Sequence, residues 1–177
     1  AQGGPDTSKL VSEFAKTVAT QLHKKVLLVA AGPYPYVSQY IVGGGARGWE
    51  EVVEGGAAVD DVLHTYGDTP LSVSQMAQNE ATLPTVLSSE RLDSVLETLR
   101  ERFDLIIVDA PPLSESSDGV LLAPRTDGVV VVLETGKTRW QSVKHWIDLI
   151  VAQRGTVLGV VLNKRRYYIP NFIYRKL

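Results

Sequence analysis

The sequence contains no cysteine, which excludes a disulfide framework and any metal site built on thiolates. No apolar run approaches the ~20 residues that a membrane-spanning helix needs. The string G-x-x-x-x-G-K-[ST], the usual phosphate-binding loop, is also missing. The three histidines, His23, His64 and His145, lie far apart without ligand spacing, so a histidine metal cluster is not expected.

Charge is nearly balanced over the chain as a whole but not along it. The 177 residues include 18 basic and 20 acidic side chains, a formal net charge of −2, which indicates no nucleic-acid partner. The last 14 residues, 164–177, carry five basic side chains and no acid. We predict one domain over residues 1–163, large enough for a single core, followed by a basic tail over residues 164–177.

Four short segments are apolar almost throughout, which is typical of strands buried on both faces of a parallel sheet. They are KVLLVA at 25–30, DLIIV at 104–108, GVVVVL at 128–133 and VLGVVL at 157–162. Segments of helical periodicity separate them, and Thr138 and Gln141 have capping-box spacing at the start of the last one. The alternation predicts an α/β fold with a doubly wound, mostly parallel sheet flanked by helices.

The stretch 32–84 is less regular, with clusters of glycine and several prolines. We predict short helices near residues 49–53 and 59–63 and a strand near residues 71–76. These elements are predicted from brief apolar patterns.

The segment FDLIIVDAPP, residues 103–112, is the most informative motif. It is an apolar strand that ends in Asp109, so the carboxylate lies at the carboxyl end of a buried strand. Open α/β sheets bind ligands at that edge, and NTPases place there the acid that holds magnesium. The alternative is a structural carboxylate satisfied by backbone N–H groups. We favour an inherited magnesium-site geometry for Asp109.

Two segments resemble a phosphate-binding loop without completing one. Gly136-Lys137-Thr138 follows a predicted strand, but Val131 stands where the first glycine is required, which favours a tight turn capped by Thr138. The segment Gly43–Gly48 fits G-x-G-x-x-G, yet Asp60 and Asp61 fall in a predicted helix rather than at the end of the next strand. A linker or turn is therefore favoured over a dinucleotide site.

The third candidate is the N-terminal segment GGPDTSKLVSEFAKTVATQL, residues 3–22, a glycine-containing turn before an amphipathic helix. In a P-loop register, Gly4 opens the turn and Asp6 replaces the second glycine. Thr7 then replaces the lysine, and Ser8 keeps the hydroxyl that contacts magnesium. A negative charge at Asp6 and no ammonium at Thr7 weaken an anion site. We favour the alternative, a helix capped by Asp6 or Ser8 without ligand.

With these residues placed, the chain resembles the bacterial tyrosine kinase (BY-kinase) domain of capsule and exopolysaccharide biosynthesis, a relative of the MinD/ParA P-loop ATPases. The similarity is strongest over residues 92–163, which include FDLIIVDAPP, Asp118 in SSDGVLLAPRTDGVVVVLETGKT, and TVLGVVLNK. The segment GWEEVVEGGAAVDDVL, residues 48–63, is similar to the family's middle segment. The resemblance implies a P-loop NTPase-like fold.

The resemblance also implies roles for individual residues. The first Walker motif falls at Gly4, Thr7 and Ser8, the strand that carries it precedes residue 1, and Asp109 is the Walker B aspartate. Ser8 and Asp109 would hold Mg²⁺, and Asn163 would contact the nucleotide base. The family's P-loop lysine is missing.

A second family feature, an acidic Asp-x-Asp motif after the strand KVLLVA, is missing as well. This chain has Ala30–Tyr34 at that point. An alternative register, with the P-loop at Ala31–Ser38, supplies no lysine either. The resemblance therefore implies degenerate Walker motifs and no confident catalytic residue.

Kinases of this family end in a tyrosine cluster that neighbouring subunits phosphorylate. Tyr167, Tyr168 and Tyr174 occupy a comparable tail, RRYYIPNFIYRKL at 165–177, and are the phosphorylation candidates. The alternative, which we rank equal or better, is a segment that docks on a partner or an anionic lipid surface.

We therefore expect a catalytically degenerate domain that acts as a scaffold or regulator of exopolysaccharide biosynthesis and export, with no cofactor. The expected partner is a membrane polysaccharide co-polymerase or another assembly protein, the expected location is the cytoplasmic face of the inner membrane, and a homo-oligomer is allowed. One alternative is an active tyrosine kinase or ATPase that uses ATP and Mg²⁺. Another is a MinD/ParA-type nucleotide switch.

Overall fold

The computed structural model describes residues 5–32, 47–77 and 81–164. The helices are α1 (Pro5–Gln21), α2 (Trp49–Glu54), α3 (Leu83–Ser88), α4 (Arg91–Arg100), α5 (Asp118–Leu122) and α6 (Trp140–Ala152), with 3-10 turns at Val59–Val62 and Ala123–Arg125. The strands are β1 (Val26–Ala30), β2 (His64–Thr65), β3 (Leu71–Gln75), β4 (Leu105–Asp109), β5 (Val129–Glu134) and β6 (Val157–Asn163).

The strands form two sheets. The first has the order β2-β3-β1-β4, in which β1 pairs in parallel with both β3 and β4, and β2 pairs antiparallel with β3. The second contains the parallel pair β5-β6. The four apolar segments have become β1, β4, β5 and β6, so the prediction of a mostly parallel α/β fold is confirmed.

Helices cover both faces of the four-stranded sheet. Because side chains alternate along a strand, Val26 and Leu28 of β1 pack with Ala15 and Ala19 of α1. Leu27 and Val29 point to the other face and pack with the side chains of α2, α3 and α4. A third cluster joins β5 to α5 and α6. Among the helices described, none is both long and apolar enough to cross a bilayer.

Two consecutive buried hydrogen bonds hold the irregular middle segment of the chain in place. The indole Nε1–H of Trp49 donates to Ser74 Oγ at 2.7 Å, and the Ser74 hydroxyl donates to the carbonyl oxygen of Val62 at 2.6 Å. These bonds tie α2, β3 and the Val59–Val62 turn together. The predicted helix near residues 49–53 and strand near residues 71–76 are confirmed, and the segment 59–63 forms a 3-10 turn.

The predicted capping box at Thr138 and Gln141 is wrong. The amides of Ser142 and Val143 donate to the carbonyl oxygen of Arg139, at 3.1 and 3.2 Å, which makes Arg139 the N-cap of α6. The cap carries no side-chain hydrogen bond. Thr138 therefore lies one residue before the cap, and its buried Oγ1 has no hydrogen-bond partner among the described residues.

Candidate functional site

Asp109 ends β4 at the carboxyl edge of the four-stranded sheet. It pairs in register with Ala30, the last residue of β1, and its carbonyl oxygen accepts the amide of Ala31 at 2.9 Å. The residue is only 5% exposed. The apolar run before it forms a buried strand, and this strand carries the carboxylate to the edge where α/β proteins bind their ligands.

The Asp109 carboxyl is poorly satisfied. Burial raises its pKa above the ordinary value of 3.8, and a hydrogen bond from the Ser8 side chain partly opposes this effect. The second oxygen, Oδ2, is buried and has no hydrogen-bond partner within residues 5–32, 47–77 and 81–164. An unpartnered carboxylate oxygen of this kind is suited to a hard cation such as Mg²⁺.

Ser8 comes to Asp109 from the beginning of α1. Ser8 is 3% exposed, and the Ser12 hydroxyl, one turn later, donates to its carbonyl oxygen at 2.7 Å. Thr7, which the predicted P-loop register places at the lysine position, lies beside Ser8 and is half-buried. The structure thus brings together two of the predicted site residues, Ser8 and Asp109, whereas Gly4 lies outside the described residues.

The surroundings of Asp109 are apolar. Ala30 ends β1 and Ala31 follows it, and Met76 and Ala77 follow β3; all four are buried. In the described part of the chain, no positively charged group contributes to the pKa of Asp109. No group of three or more His, Cys, Asp or Glu side chains there is placed to hold a metal ion.

Asn163 lies at the end of β6, in the second sheet, and pairs in register with Glu134. Its Oδ1 accepts the backbone amide of Lys164 at 2.8 Å, and its carbonyl oxygen accepts the amide of Thr135 at 3.0 Å. The side chain is thus engaged locally.

A group of charges beside Asn163 was not predicted from the sequence. Lys137 Nζ lies 2.9 Å and Lys164 Nζ 3.5 Å from Glu134 Oε1. The hydrogen bond from Lys137 is the main reason that the pKa of Glu134 is lowered. A strand-ending acid followed three residues later by a lysine was the available signal. Lys137 belongs to Gly136-Lys137-Thr138, the segment that resembles a phosphate-binding loop. Its partner in the structure is the Glu134 carboxylate.

The other candidates are only partly described. Gly43–Ala46, most of the glycine-rich segment, lies outside the described residues, as do Tyr167, Tyr168 and Tyr174 of the tail. Asp60 and Asp61 lie in a 3-10 turn, as expected for a segment that is not a dinucleotide site. The roles assigned to Gly4, Thr7, Ser8, Asp109 and Asn163 remain predictions.

No family model matches the chain, but known proteins do. It is 26% identical over 161 residues to the tyrosine-protein kinase ptk of Acinetobacter johnsonii, covering 90% of this chain and 22% of the relative. It is 29% identical over 107 residues to the tyrosine-protein kinase CpsD of Streptococcus pneumoniae serotype 4, covering 59% and 47%. It is 26% identical over 170 residues to the succinoglycan biosynthesis transport protein ExoP of Rhizobium meliloti, covering 90% and 21%.

Solved structures share the fold. The kinase domain of Escherichia coli tyrosine kinase ETK matches with a TM-score of 0.79 at 22% identity, covering 94% of this chain and 68% of that one. The cell division protein MinD of Aquifex aeolicus matches with a TM-score of 0.75 at 20% identity, covering 99% of this chain and 70% of that one. Cobyrinic acid a,c-diamide synthase of Mycobacterium smegmatis, with bound ATP analog and magnesium, matches with a TM-score of 0.69 at 20% identity. The match covers 90% of this chain and 66% of that one.

The chain thus has the α/β fold of these kinase domains and of the MinD-type P-loop ATPases. Within that class, the chain is a homologue of the bacterial tyrosine-protein kinases, and its fold is that of their kinase domains. The resemblance inferred from FDLIIVDAPP and the flanking segments is confirmed. The chain spans between about a fifth and about half of the length of these three relatives.

Proposed function

We propose that this chain is a catalytically degenerate BY-kinase-like domain that acts as a scaffold or regulator of exopolysaccharide or capsule biosynthesis and export. The observation that supports this proposal is the chemistry around Asp109. Its carboxylate has the Ser8 hydroxyl beside it, but apolar residues stand at the neighbouring strand ends and Thr7 stands in place of a lysine.

Phosphoryl transfer depends on positioning and on neutralising the charge of the transferred group. A P-loop lysine and a second acid each supply several kcal/mol, by order of magnitude, to the transition state. This chain lacks both groups, and the negative charge of Asp6 would repel a phosphate group. We therefore expect kinase and ATPase activity close to the uncatalysed rate.

The residues present do fit a magnesium ion in part. Asp109 Oδ2 and the Ser8 hydroxyl are oxygen donors, which Mg²⁺ prefers, and they lie together at the correct edge of the sheet. If the domain binds ATP and Mg²⁺, these two residues would hold the metal, and the metal would neutralise phosphate charge. A site with only these two protein ligands depends on the nucleotide and water for the rest of its coordination.

The names of the relatives support the proposed cellular role. One is a transport protein of succinoglycan biosynthesis and others are tyrosine-protein kinases. We propose that this domain works on the cytoplasmic face of the inner membrane with a membrane polysaccharide co-polymerase or another assembly protein. The basic tail, residues 164–177, is the proposed contact with that partner or with anionic lipid.

Thermal unfolding with and without ATP·Mg²⁺ tests the proposal. A ligand that binds only the folded state raises the melting temperature, so we expect no ATP-dependent rise in the 177-residue protein. Asp109→Asn is the matched control, because it keeps the side-chain size and removes the carboxylate. A rise in the original protein that disappears in Asp109→Asn would contradict the proposal.

The unpartnered Asp109 oxygen favours a second candidate, an active tyrosine kinase or ATPase whose missing cation comes from a partner. Its signature is ATP-dependent phosphate on Tyr167, Tyr168 or Tyr174, detected by mass spectrometry when the co-polymerase is present. The likeness to MinD favours a third candidate, a nucleotide switch. That candidate requires dimerisation with ATP, which sedimentation velocity would detect.

A further inference from the structure

The strand β6 has a free outer edge. Among the described residues, it pairs with β5 on one side only. The pairing is regular from Gly159 to Asn163, and this stretch contains no lysine, proline or bulge, the features with which proteins block a free sheet edge. The backbone groups on this edge are therefore open to another strand.

Exposed apolar side chains line the same edge. Val160 and Leu162 pair in register with the buried Val131 and Leu133 of β5, so they lie on the face that α6 covers. They are nevertheless 41% and 61% exposed, which shows that α6 covers β5 more fully than β6. Val161, on the opposite face, is also 41% exposed. An apolar strand along this edge would remove these side chains from water.

The flank of α6 above this edge is apolar as well. A Cβ at Gly155 would meet both Ile150 of α6 and Ala123, which directly follows α5, so the Ile150 side of α6 faces α5. Val151 is turned by about 100° from Ile150 around the helix axis, away from α5, and is 58% exposed. Val151 and the exposed side chains of β6 thus border one apolar groove.

The pairing with β5 decides which backbone groups of β6 point outward. The carbonyl oxygen of Asn163 accepts the amide of Thr135, the residue after β5, at 3.0 Å. Because successive residues of a strand bond to opposite sides, Val161 also bonds toward β5. Leu162 and Val160 therefore present their amides and carbonyl oxygens to the free edge.

The sequence that directly follows β6 has the composition of a strand. Residues 167–169 are Tyr-Tyr-Ile, residue types that favour strands, and Pro170-Asn171 after them is a turn signal. At ~3.3 Å per residue, residues 165–177 can extend over about 43 Å, whereas the seven residues of β6 span about 23 Å. This sequence is thus long enough to return along the whole edge.

The chain begins to turn at the end of β6. Lys164 has a φ of +56°, in the left-handed region. The Asn163 Oδ1 accepts the amide of Lys164 at 2.8 Å, and Lys164 Nζ lies 3.5 Å from Glu134 Oε1. These two contacts hold the start of a turn at the carboxyl end of β6.

Pro170 restricts the register of a returning strand. Proline has no amide hydrogen, so within a strand it is tolerated where the backbone nitrogen points away from the neighbour. The odd-numbered residues before and after Pro170 must then supply the amides that bond to Val160 and Leu162. A loop with an odd number of residues would instead turn the nitrogen of Pro170 toward β6.

The backbone at the turn restricts the loop further. A two-residue loop would need a positive φ at Asn163, its first residue, but Asn163 lies outside the left-handed region and only the next residue has a positive φ. The shortest loop that meets both conditions is residues 163–166, and four-residue loops are common in hairpins. This register pairs Tyr167 with Leu162, Tyr168 with Val161 and Ile169 with Val160.

The remaining pair of this register also fits. Pro170 would lie opposite Gly159, where a Cβ would meet no described atom within 4 Å, so the proline ring has room. Tyr167 and Ile169 would lie on the same face as their partners in β6. They would therefore occupy the apolar groove beside Val151.

We propose that the free edge of β6 is the docking site of the chain's own residues 167–171, which return antiparallel to β6 after a loop at residues 163–166. Docking covers the exposed side chains of β6 and holds Tyr167 and Tyr168 on the domain that carries them, whereas Tyr174 lies beyond the docked segment. Docking of this kind does not depend on whether the domain binds nucleotide.

Hydrogen exchange on the 177-residue protein tests the proposal. Ile169→Pro removes an amide that bonds to β6, and Ile173→Pro is the same substitution outside the docked segment. We expect the amides of Val160 and Leu162 to exchange about tenfold or more faster in Ile169→Pro than in the original protein or in Ile173→Pro. The amide of Val161, which bonds toward β5, is the internal reference for intact folding.

Disulfide trapping gives an independent measurement, because the chain has no cysteine of its own. Val161→Cys with Tyr168→Cys joins directly opposite residues, whose Cα atoms are about 4.5 Å apart in a non-hydrogen-bonded antiparallel pair, within the range of a disulfide. Val161→Cys with Ile169→Cys is the control, since those side chains would lie on opposite faces. We expect an intramolecular crosslink in the first pair only, detected by mass spectrometry.

Either of two results would overturn the proposal. The first is exchange at Val160 and Leu162 that is the same in Ile169→Pro and in the original protein, together with equal crosslinking of Val161→Cys to both tail positions. The second is protection that increases with protein concentration and crosslinks found only in dimers, since the edge would then accept a strand from a second copy.

Discussion

The Ser8 side chain donates a hydrogen bond to Asp109, joining the beginning of α1 to the end of β4. This contact joins the two residues that the sequence predicts as magnesium ligands. It also leaves a carboxyl whose pKa is raised by burial, because one hydrogen bond does not replace the water that Asp109 has lost. The consequences can be measured without nucleotide.

Asp109→Asn should stabilise the protein at neutral pH. Because the folded-state pKa of Asp109 is raised above 3.8, ionisation costs folding free energy. The stability is fully present below the unfolded pKa and is lost as the pH rises through the folded pKa. We expect the variant to be more stable than the original protein at neutral pH, with a gain that falls toward zero in acid. Urea unfolding across the acid-to-neutral range measures it, and a gain that grows in acid would contradict it.

Ser8→Ala should raise the pKa of Asp109 further and destabilise the protein by about 1–2 kcal/mol, because a buried carboxylate loses its donor. Ser12→Ala is the control, since the Ser12 hydroxyl bonds to the Ser8 carbonyl and not to Asp109. The Asp109 carboxyl ¹³C shift, followed by NMR titration, separates the two variants. Equal pKa values in both would show that the Ser8 contact is unimportant.

Ser74→Ala should be the more damaging of two serine substitutions in β3. Ser74 accepts from Trp49 and donates to Val62 in a fully buried position, so the variant leaves two polar groups unpaired. We expect a loss of about 2–4 kcal/mol. Ser72→Ala, at a half-buried position on the same face of the strand, should cost well under half as much, and equal losses in urea titrations would refute the assignment.

Restoring the missing cation should restore nucleotide binding. The double variant Asp6→Gly with Thr7→Lys recreates the Gly-Lys-Ser end of the P-loop at residues 6–8, in the register inferred from the sequence. At ATP·Mg²⁺ about a hundredfold above its dissociation constant, binding would add about 2.7 kcal/mol to stability, visible as a higher melting temperature. The same variant with Asp109→Asn is the control. Absence of any nucleotide response would argue against the register Gly4–Ser8.

Lys137→Ala should leave both stability and any nucleotide response almost unchanged. Lys137 is exposed and pairs with Glu134 at the surface, and such pairs contribute about 0–1 kcal/mol. A matched substitution is Lys144→Ala, which breaks the exposed pair with Asp148. If Lys137→Ala alone abolished an ATP-dependent shift, Gly136-Lys137-Thr138 would be a phosphate loop after all.

The strands were predictable because their signal is local. Segments such as DLIIV and GVVVVL need burial on both faces, and that requirement alone predicts a parallel sheet with Asp109 at its edge. The capping box at Thr138 failed because Ser142 and Val143 select the Arg139 carbonyl; the string T-x-x-Q is compatible with either helix start, and packing decides between them.

The charge group at Glu134 was missed for a different reason. Lys137 is its neighbour in sequence, but Lys164 reaches it only because β5 and β6 pair in register. The contact between Ser8 and Asp109 likewise joins residues that are distant in sequence. It was expected only from the family resemblance and could not be predicted from periodicity. Long-range contacts between polar side chains leave little trace in a single sequence.

The environments of the tryptophans give the protein a built-in optical reporter. Trp49 is completely buried and hydrogen-bonded, whereas Trp140 is 67% exposed. Acrylamide should quench the emission of Trp140 most, that of the half-buried Trp146 less and that of Trp49 least. With Trp146→Phe, the unquenched, blue-shifted component comes from Trp49 alone, and its loss on denaturation follows the packing around the four-stranded sheet without a label.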